Sequence, residues 1–413
     1  MAELRDSTTG ELMRLEAALA MLADIVTPIA QVHEVPLAAA RGRVLAADLV
    51  AASDVPPHDN SAVDGYALRF EDLGALGATH FVIGGRAAAG HPLEGPAPKG
   101  AAVRIFTGAV LPQGLDTVVM QEDCVRDDAG VVVPAGLARG ANARARGEDI
   151  GAGAVALARG RRLAPQDLGL AAALGRATLD VYRRLRVGIF SSGDELRDPG
   201  EALVPGKVHD ANRYMLHALV EGLGCVVEDL GILPDDQSAM ARALAAARHD
   251  VLLTSGGVSV GEEDHMRAAW EAAGGRLAFW RLAIKPGRPV AFGQRGDTYF
   301  LGLPGNPAAM VVCFLLLARP ALLARAGATL LTPPHFLVRA GFARRKKPGR
   351  REFIRASLRP GIDGALEAHK FPREGAGLIT SLVAADGLVE LAEETTRLRE
   401  GEMVRFLPFS AFA

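Results

Sequence analysis

Cysteine is scarce in this chain: three in 413 residues, at 124, 225 and 313, with no C-x-x-C pair. That spacing excludes a disulfide framework and a cysteine zinc site, and it suits a reducing compartment. Net charge is also nearly absent, because 46 basic residues face 48 acidic ones. No overall field draws in nucleic acid or an anionic membrane, so any capture of charge is local. The basic run Arg344–Lys347 with Arg350 and Arg351 lacks interleaved aromatics, which argues against a nucleic-acid surface. Long apolar runs are missing too. Ala308–Ala318 spans only about 16 Å as a helix, half a bilayer core, and reads as a buried helix. The N-terminus carries Glu3, Arg5 and Asp6 where a signal peptide needs an apolar stretch, so a cytoplasmic enzyme with no membrane contact is expected. The ten histidines show no H-x-x-x-H spacing and receive no role.

What is present is a change of texture along the chain. Leu12, Leu15, Leu19, Leu22 and Ile25 recur at helical spacing, with Thr8 and Glu11 as a capping box. From 54 to 149 short β-rich runs alternate with Gly and Pro turns. Ala164–Leu174 is again helical and is expected to pack on the opening helix, making residues 1–53 and 150–184 one discontinuous linker domain around a β-rich insert. Residues 185–329 alternate apolar strands with amphipathic helices, the rhythm of a mostly parallel sheet covered on both faces. Strands are expected at Leu185–Phe190, Cys225–Leu230, Val251–Thr254, Pro289–Phe292 and Tyr299–Leu301, with helices near Asn212, Asp236, Asp264 and Pro307. Residues 330–413 read as a separate C-terminal β domain. The fold class is therefore multidomain α/β plus β.

Ligands of open α/β sheets bind at the carboxyl ends of strands. There the chain places Ser191-Ser192-Gly193-Asp194-Glu195, Thr254-Ser255-Gly256-Gly257-Val258-Ser259 and Leu303-Pro304-Gly305-Asn306-Pro307. Small residues leave backbone N–H groups free to cradle an anion, and Asn306-Pro307 suits a helix start aimed at the same rim. Each loop taken singly is equally an ordinary turn. Asp194, Glu195, Asp235, Asp236, Glu262, Glu263 and Asp264 crowd these rims, and acids beside a phosphate make sense with a hydrated Mg²⁺ between them. Arg281 and Ile284-Lys285-Pro286-Gly287-Arg288-Pro289 supply cations on a rigid turn, suited to a tetrahedral dianion or, alternatively, to a solvated hairpin tip.

Seven segments taken in order, DNSAVDGYAL at 59–68, RIFTGAVLP at 104–112, RGEDI at 146–150, SSGDEL at 191–196, SGGVSVGEED at 255–264, IKPGRPVAFG at 284–293 and LPGNP at 303–307, resemble the MoeA/gephyrin family of molybdopterin molybdenumtransferases. PGRREF at 348–353 and the region of Ser381 fit more loosely. The resemblance implies a homodimer whose α/β domain is similar to molybdopterin adenylyltransferases, with a β-barrel-like C-terminal domain. It implies insertion of molybdate into adenylylated molybdopterin, Mg²⁺-dependent, with release of AMP. By motif position Asp59, Thr107 and Asp149 come from the β-rich side, facing the partner's α/β site, and Glu195, Asp235 and Asp264 handle Mg²⁺ or phosphate. Ser192, Gly193, Asp194, Ser255, Gly256, Gly257, Ser259, Pro304, Gly305 and Asn306 hold the pterin substrate, while Arg281, Lys285, Arg288, Arg350 and Ser381 hold molybdate. Arg281 and Arg288 stand where many members carry Lys, and His58 and Phe106 also depart from the common pattern. Contacts with the adenylyltransferase and with recipient apo-molybdoenzymes are further implied. Two alternatives remain, the adenylyltransferase reaction itself and a non-catalytic scaffold of this fold; the intact set of acids and bases speaks against the scaffold.

Overall fold

The computed structural model describes residues 12–258 and 265–412. Helix α1 (Leu15–Ile25) buries Leu15, Ala18 and Leu22 at helical spacing. It starts at Leu15 with no side-chain cap from Arg14, and the expected cap residues Thr8 and Glu11 lie outside the described residues. The expected packing of Ala164–Leu174 on this helix is not found. Leu15, Ala18 and Leu22 enter a core with Leu322 and Leu323, whereas Ala171 and Leu174 join Leu45, Leu49, Leu179 and Val181 in another. The reason is local: strand β1 (Val32–Pro36) pairs antiparallel with the chain returning at 178–182, and that ribbon offers α2 the nearer apolar surface.

The insert between these arms holds β2 (Gly65–Leu68), β3 (Thr79–Ala87), β4 (Ala101–Ile105), β5 (Thr117–Met120), β6 (Val125–Arg126) and β7 (Val131–Val133). They form one sheet in the order β5-β2-β4-β3-β7-β6. Gly65 permits it: a Cβ there would sit 1.8 Å from the Val119 carbonyl oxygen. Helix α2 (Pro165–Ala173) and β8 (Thr178–Tyr182) complete the return.

The α/β unit contains β9 (Arg186–Ser192), α3 (Asn212–Gly222), β10 (Val226–Leu233), α4 (Gln237–Ala246), β11 (Val251–Ser255), α5 (Met266–Ala272) and β12 (Arg276–Arg281). Next come β13 (Ile284–Lys285), which leaves the sheet, then β14 (Pro289–Arg295) and β15 (Thr298–Leu303). Sheet order is β10-β9-β11-β15-β14-β12, parallel across the first four strands and antiparallel at the last two. Alternate side chains feed two cores, as a doubly covered sheet requires. Val187, Ile189, Val251, Leu253, Tyr299 and Leu301 pack on α3 and the helix from Pro307; Phe190, Leu252 and Phe300 pack on α4 and α5 through Met240 and Trp270. That helix, α6 (Pro307–Arg325), runs 19 residues with 89% of its apolar window buried. It is longer than the 11-residue run suggested because, after a π-helical turn at Phe314–Ala318, it continues as Arg319–Arg325. By length and composition it could cross a membrane, but it is the buried core helix of this unit.

The C-terminal strands β16 (Phe336–Ala340), β17 (Arg351–Pro360), β18 (Leu366–Lys370), β19 (Gly387–Leu391) and β20 (Met403–Pro408) close into a barrel, order β17-β18-β16-β20-β19 and back to β17. Val338, Ala356, Val389 and Phe406 fill it. β13 pairs in parallel with β17, setting Lys285 opposite Glu352. This short pairing joins the α/β unit to the barrel beside the basic turn.

Candidate functional site

Three loops meet at the carboxyl edge of the parallel strands. Gly256 (φ +92°) and Gly257 (φ +65°) pass so close to Ser192 that a Cβ would lie 2.6 Å from its carbonyl oxygen or 2.4 Å from its hydroxyl. Buried Asn212 ties the second loop to the third, its amide donating to Ser255 Oγ and to the Gly305 carbonyl, both at 2.7 Å. The hydroxyls of Ser191, Ser192 and Thr254 and the Asn212 Oδ1 are buried without a hydrogen-bond partner among the described residues. Native interiors rarely leave such groups unsatisfied, so the cradle is built for a polar ligand. Ser259 lies outside the described residues. Gly257→Ala is expected to lose about 1–2 kcal/mol of stability from the left-handed backbone. Pushing against Ser192, it should also weaken binding of an anion in the cradle; a thermal melt and a calorimetric titration with phosphate check both.

The helix from Pro307 does not present a free N-terminus here as expected: Asn306 makes no side-chain cap, and the Ala308 N–H donates to the Ala376 carbonyl of the C-terminal unit at 2.8 Å. The Asn306 side chain lines the neighbouring cleft instead.

On the other flank Asp194, Arg197, Asp198, Glu201 and Lys207 line an open cavity of about 610 Å³ with Gly193. The Asp235 N–H reaches Asp194 Oδ1 at 3.3 Å. The Glu195 carboxylate folds over Gly193, 2.5 Å from where a Cβ would be. Lys207 Nζ donates to the Asp194 carbonyl at 2.6 Å. Asp236 is not part of this rim chemistry, because its carboxylate caps α4 by accepting from Ala239 N at 2.6 Å. Asp264, Glu262 and Glu263 lie outside the described residues.

The basic turn faces a second cavity, about 340 Å³, between the α/β unit and the barrel. Lys285, Arg288, Pro304 and Asn306 line it from one side, and Arg344, Glu352, Arg355, Lys370 and Arg373 from the other. Gly287 (φ +109°) presses the turn onto α6, where a Cβ would meet Cys313 Sγ at 2.4 Å. Glu352 accepts from Lys285 Nζ at 3.0 Å and from Arg344 at 3.1 and 3.2 Å. Arg355 is buried and donates to Ser381 Oγ at 3.0 Å and to the Gly375 carbonyl at 2.8 Å. Burial lowers the Arg355 pKa from its ordinary value by more than the nearby Glu374 charge raises it.

Of the five residues expected around molybdate, the cleft lining includes Lys285 and Arg288 and leaves out Arg281 and Arg350. Arg281 ends β12, its carbonyl taking the Met13 N–H, and exposed Arg350 precedes β17, its carbonyl taking Lys346 Nζ. Ser381 sits behind Arg355 and uses its hydroxyl on Arg355 and the Leu378 carbonyl. Arg355 is the residue that sequence reasoning missed. Its signal was an arginine sharing the parity of Phe353, on the face of the strand opposite to Ala356 and turned toward the α/β unit.

In the insert, Asp59 Oδ1 accepts from Arg146 N at 2.7 Å. Thr107 donates to Asp64 through its N–H and its hydroxyl, at 2.8 and 2.7 Å, which holds the Asp64 carboxyl below its ordinary pKa. The exposed side chain of Asp149 follows an N–H bound to the Val55 carbonyl. Among the described residues neither cavity is lined by Asp59, Thr107 or Asp149.

Comparison with known proteins places this arrangement. Residues 13–175 match the model for the MoeA N-terminal region (domain I and II), 188–324 that for a probable molybdopterin binding domain, and 338–409 that for the MoeA C-terminal region (domain IV). Fold and site thus define an enzyme of molybdenum cofactor biosynthesis. The chain is 38% identical to a molybdopterin molybdenumtransferase of Haemophilus influenzae, over 92% of its own length and 94% of the relative's. A Nostoc protein of the same name is 34% identical over 90% and 88%. A solved MoeA protein of Pyrococcus horikoshii superposes with a TM-score of 0.80 at 30% identity, covering 97% of this chain and all of that one (100%). The chain belongs to the MoeA family of molybdopterin molybdenumtransferases.

Proposed function

We propose that this transferase inserts molybdate into adenylylated molybdopterin with release of AMP, in the cytoplasm and as a homodimer. One observation carries the reading: the LPGNP loop is shared by two unlike sites. Its Gly305 carbonyl is bound by Asn212 in the cradle of unsatisfied hydroxyls, while Pro304 and Asn306 line the basic cleft. A ligand whose phosphate sits in the cradle therefore has its far end beside cations suited to an oxyanion.

In this reading Ser191, Ser192, Thr254, Ser255 and Asn212 receive phosphate oxygens, with Gly193, Gly256, Gly257 and Gly305 allowing close approach. Lys285, Arg288 and Arg355 hold molybdate, Ser381 orients Arg355, and Arg281 and Arg350 stand outside that contact. Asp194, Glu195 and Asp235 offer hard oxygen donors around Gly193. Mg²⁺ takes hard oxygen ligands and completes its shell with water and phosphate oxygens. Glu195 and Asp235, with Asp264, would hold it, and when bound it would neutralise charge on the phosphates. Water cleaves the bond between the pterin phosphate and AMP. Residues 1–53 with 150–184, 54–149, 185–329 and 330–413 are taken as the four domains, and the adenylyltransferase and recipient apo-molybdoenzymes as partners.

Incubation of the chain with adenylylated molybdopterin is expected to release AMP only when both molybdate and Mg²⁺ are present. Substrate that persists under those conditions would contradict the reading, and formation of adenylylated pterin from ATP and free pterin would favour the adenylyltransferase alternative. The separation of Asp59 from the cleft supports a site completed in trans. Mixing Asp59→Asn and Lys285→Ala subunits, at a molybdate concentration too low for Lys285→Ala to turn over alone, should restore up to about a quarter of wild-type activity, because half of the dimers are mixed and each mixed dimer carries one intact site of its two. No recovery on mixing, with exchange of subunits verified, would place Asp59 in cis or outside the reaction.

A further inference from the structure

Two kinds of cation line the basic cleft. Arg355 is bound by the neutral acceptors Ser381 Oγ and the Gly375 carbonyl. Lys285 and Arg344 instead share the carboxylate of Glu352, which is 6% exposed and lies between them. The strand register fixes it there, since Lys285 stands opposite Glu352 where β13 meets β17. All four side chains line the same cavity. A carboxylate offers two oxygens and one negative charge to those cations, which is how a tetrahedral oxyanion would address them.

We propose that Glu352 sets the oxyanion affinity of the cleft: it is a tethered counter-anion that occupies Lys285 and Arg344 and keeps dianions, sulfate among them, from being held tightly. This rests on the reading of the cleft as the molybdate site. Without Glu352 the cations would hold any divalent oxyanion, sulfate and phosphate included. With it, an incoming dianion draws Lys285 away from a carboxylate and sits against that carboxylate's charge in a partly desolvated space, where like-charge repulsion is strong. Arg344 has a second, exposed partner in Glu374, so the charge of Arg344 is compensated even as Lys285 turns to the ligand.

The test is calorimetric titration of the full chain with sulfate and with molybdate at fixed ionic strength. Glu352→Gln keeps the side chain's shape and removes its charge, and is expected to tighten sulfate at least about tenfold. Arg344→Gln is expected to weaken sulfate about tenfold, and adding Glu352→Gln to it to return affinity to within about threefold of wild type, because the pair is then removed together. A merely structural role would loosen the site and weaken every anion, so a gain in affinity separates the two. Sulfate affinity unchanged or weaker in Glu352→Gln overturns the proposal. Should that variant not fold, absence of recovery in the double variant relative to Arg344→Gln overturns it equally. Wild type that binds no molybdate at all removes the reading of the cleft itself, a failure distinct from the other two.

Discussion

Lys285→Ala is expected to raise the molybdate concentration needed for half-maximal AMP release by about 30-fold or more, the usual consequence of removing one member of a close charge pair in a binding site. Two effects act together. The oxyanion loses a point charge, and Glu352, held by Lys285 at 3.0 Å, keeps its own charge in the cleft with Arg344 still bound to it. Affinity for adenylylated molybdopterin should stay within about threefold, because the cradle around Ser192 and Asn212 contributes its hydrogen bonds without Lys285. Titrations of the two ligands separate these outcomes, and equal loss of both would detach Lys285 from the oxyanion.

Arg213→Met should cost about 3–5 kcal/mol of stability and lower Tm by roughly 10 °C. Arg213 is buried at the start of α3 and binds Asp210, Asp229 and Asp198 from three segments. Burial works against its charge, yet the hydrogen bonds to Asp229 and Asp210 leave its pKa above the ordinary arginine value. Methionine would leave Asp210, 1% exposed, without that partner. The neighbouring Asn212 stitches the cradle, so substrate binding should fall as well. The acid side follows by sign. Burial raises the Asp229 pKa but Arg213 more than reverses this, so its folded value is depressed. The stability it gives is present above the unfolded carboxylate value of about 3.9 and is lost as pH falls through the folded value. Wild type should therefore lose more stability than Arg213→Met on acidification below about pH 4; parallel acid-unfolding curves would remove Asp229 from the account.

How far the sequence disclosed the molecule depended on the range of the interaction concerned. The rim loops after β9, β11 and β15 were legible because small residues following an apolar strand already imply close backbone approach. The buried strands were legible because Val251–Leu253 and Phe300–Leu301 are apolar on both faces. The strand Arg276–Arg281 was not among the expected ones: its charged ends hide an antiparallel pairing that only β14 provides. Arg355 and Arg350 look alike in sequence, and the parity of β17 alone sends the first toward the α/β unit. Asp236 resembled its acidic neighbours until the α4 N–H groups claimed it. The role of Glu352 is not legible in sequence, since its partner Lys285 is 67 residues away and the two meet through a two-residue strand pairing. Asp59, Thr107 and Asp149 line neither described cavity, and no local pattern in the sequence tells where they act.

The central claim is that an oxyanion is held where the basic turn meets the barrel. Anomalous diffraction from crystals of the chain soaked in molybdate tests it most directly. The account predicts a molybdenum peak within hydrogen-bonding reach of Lys285, Arg288 and Arg355, next to the Pro304 and Asn306 loop. Molybdenum found only on the exposed basic segment around Arg345 and Lys347, with that cleft empty, would contradict it.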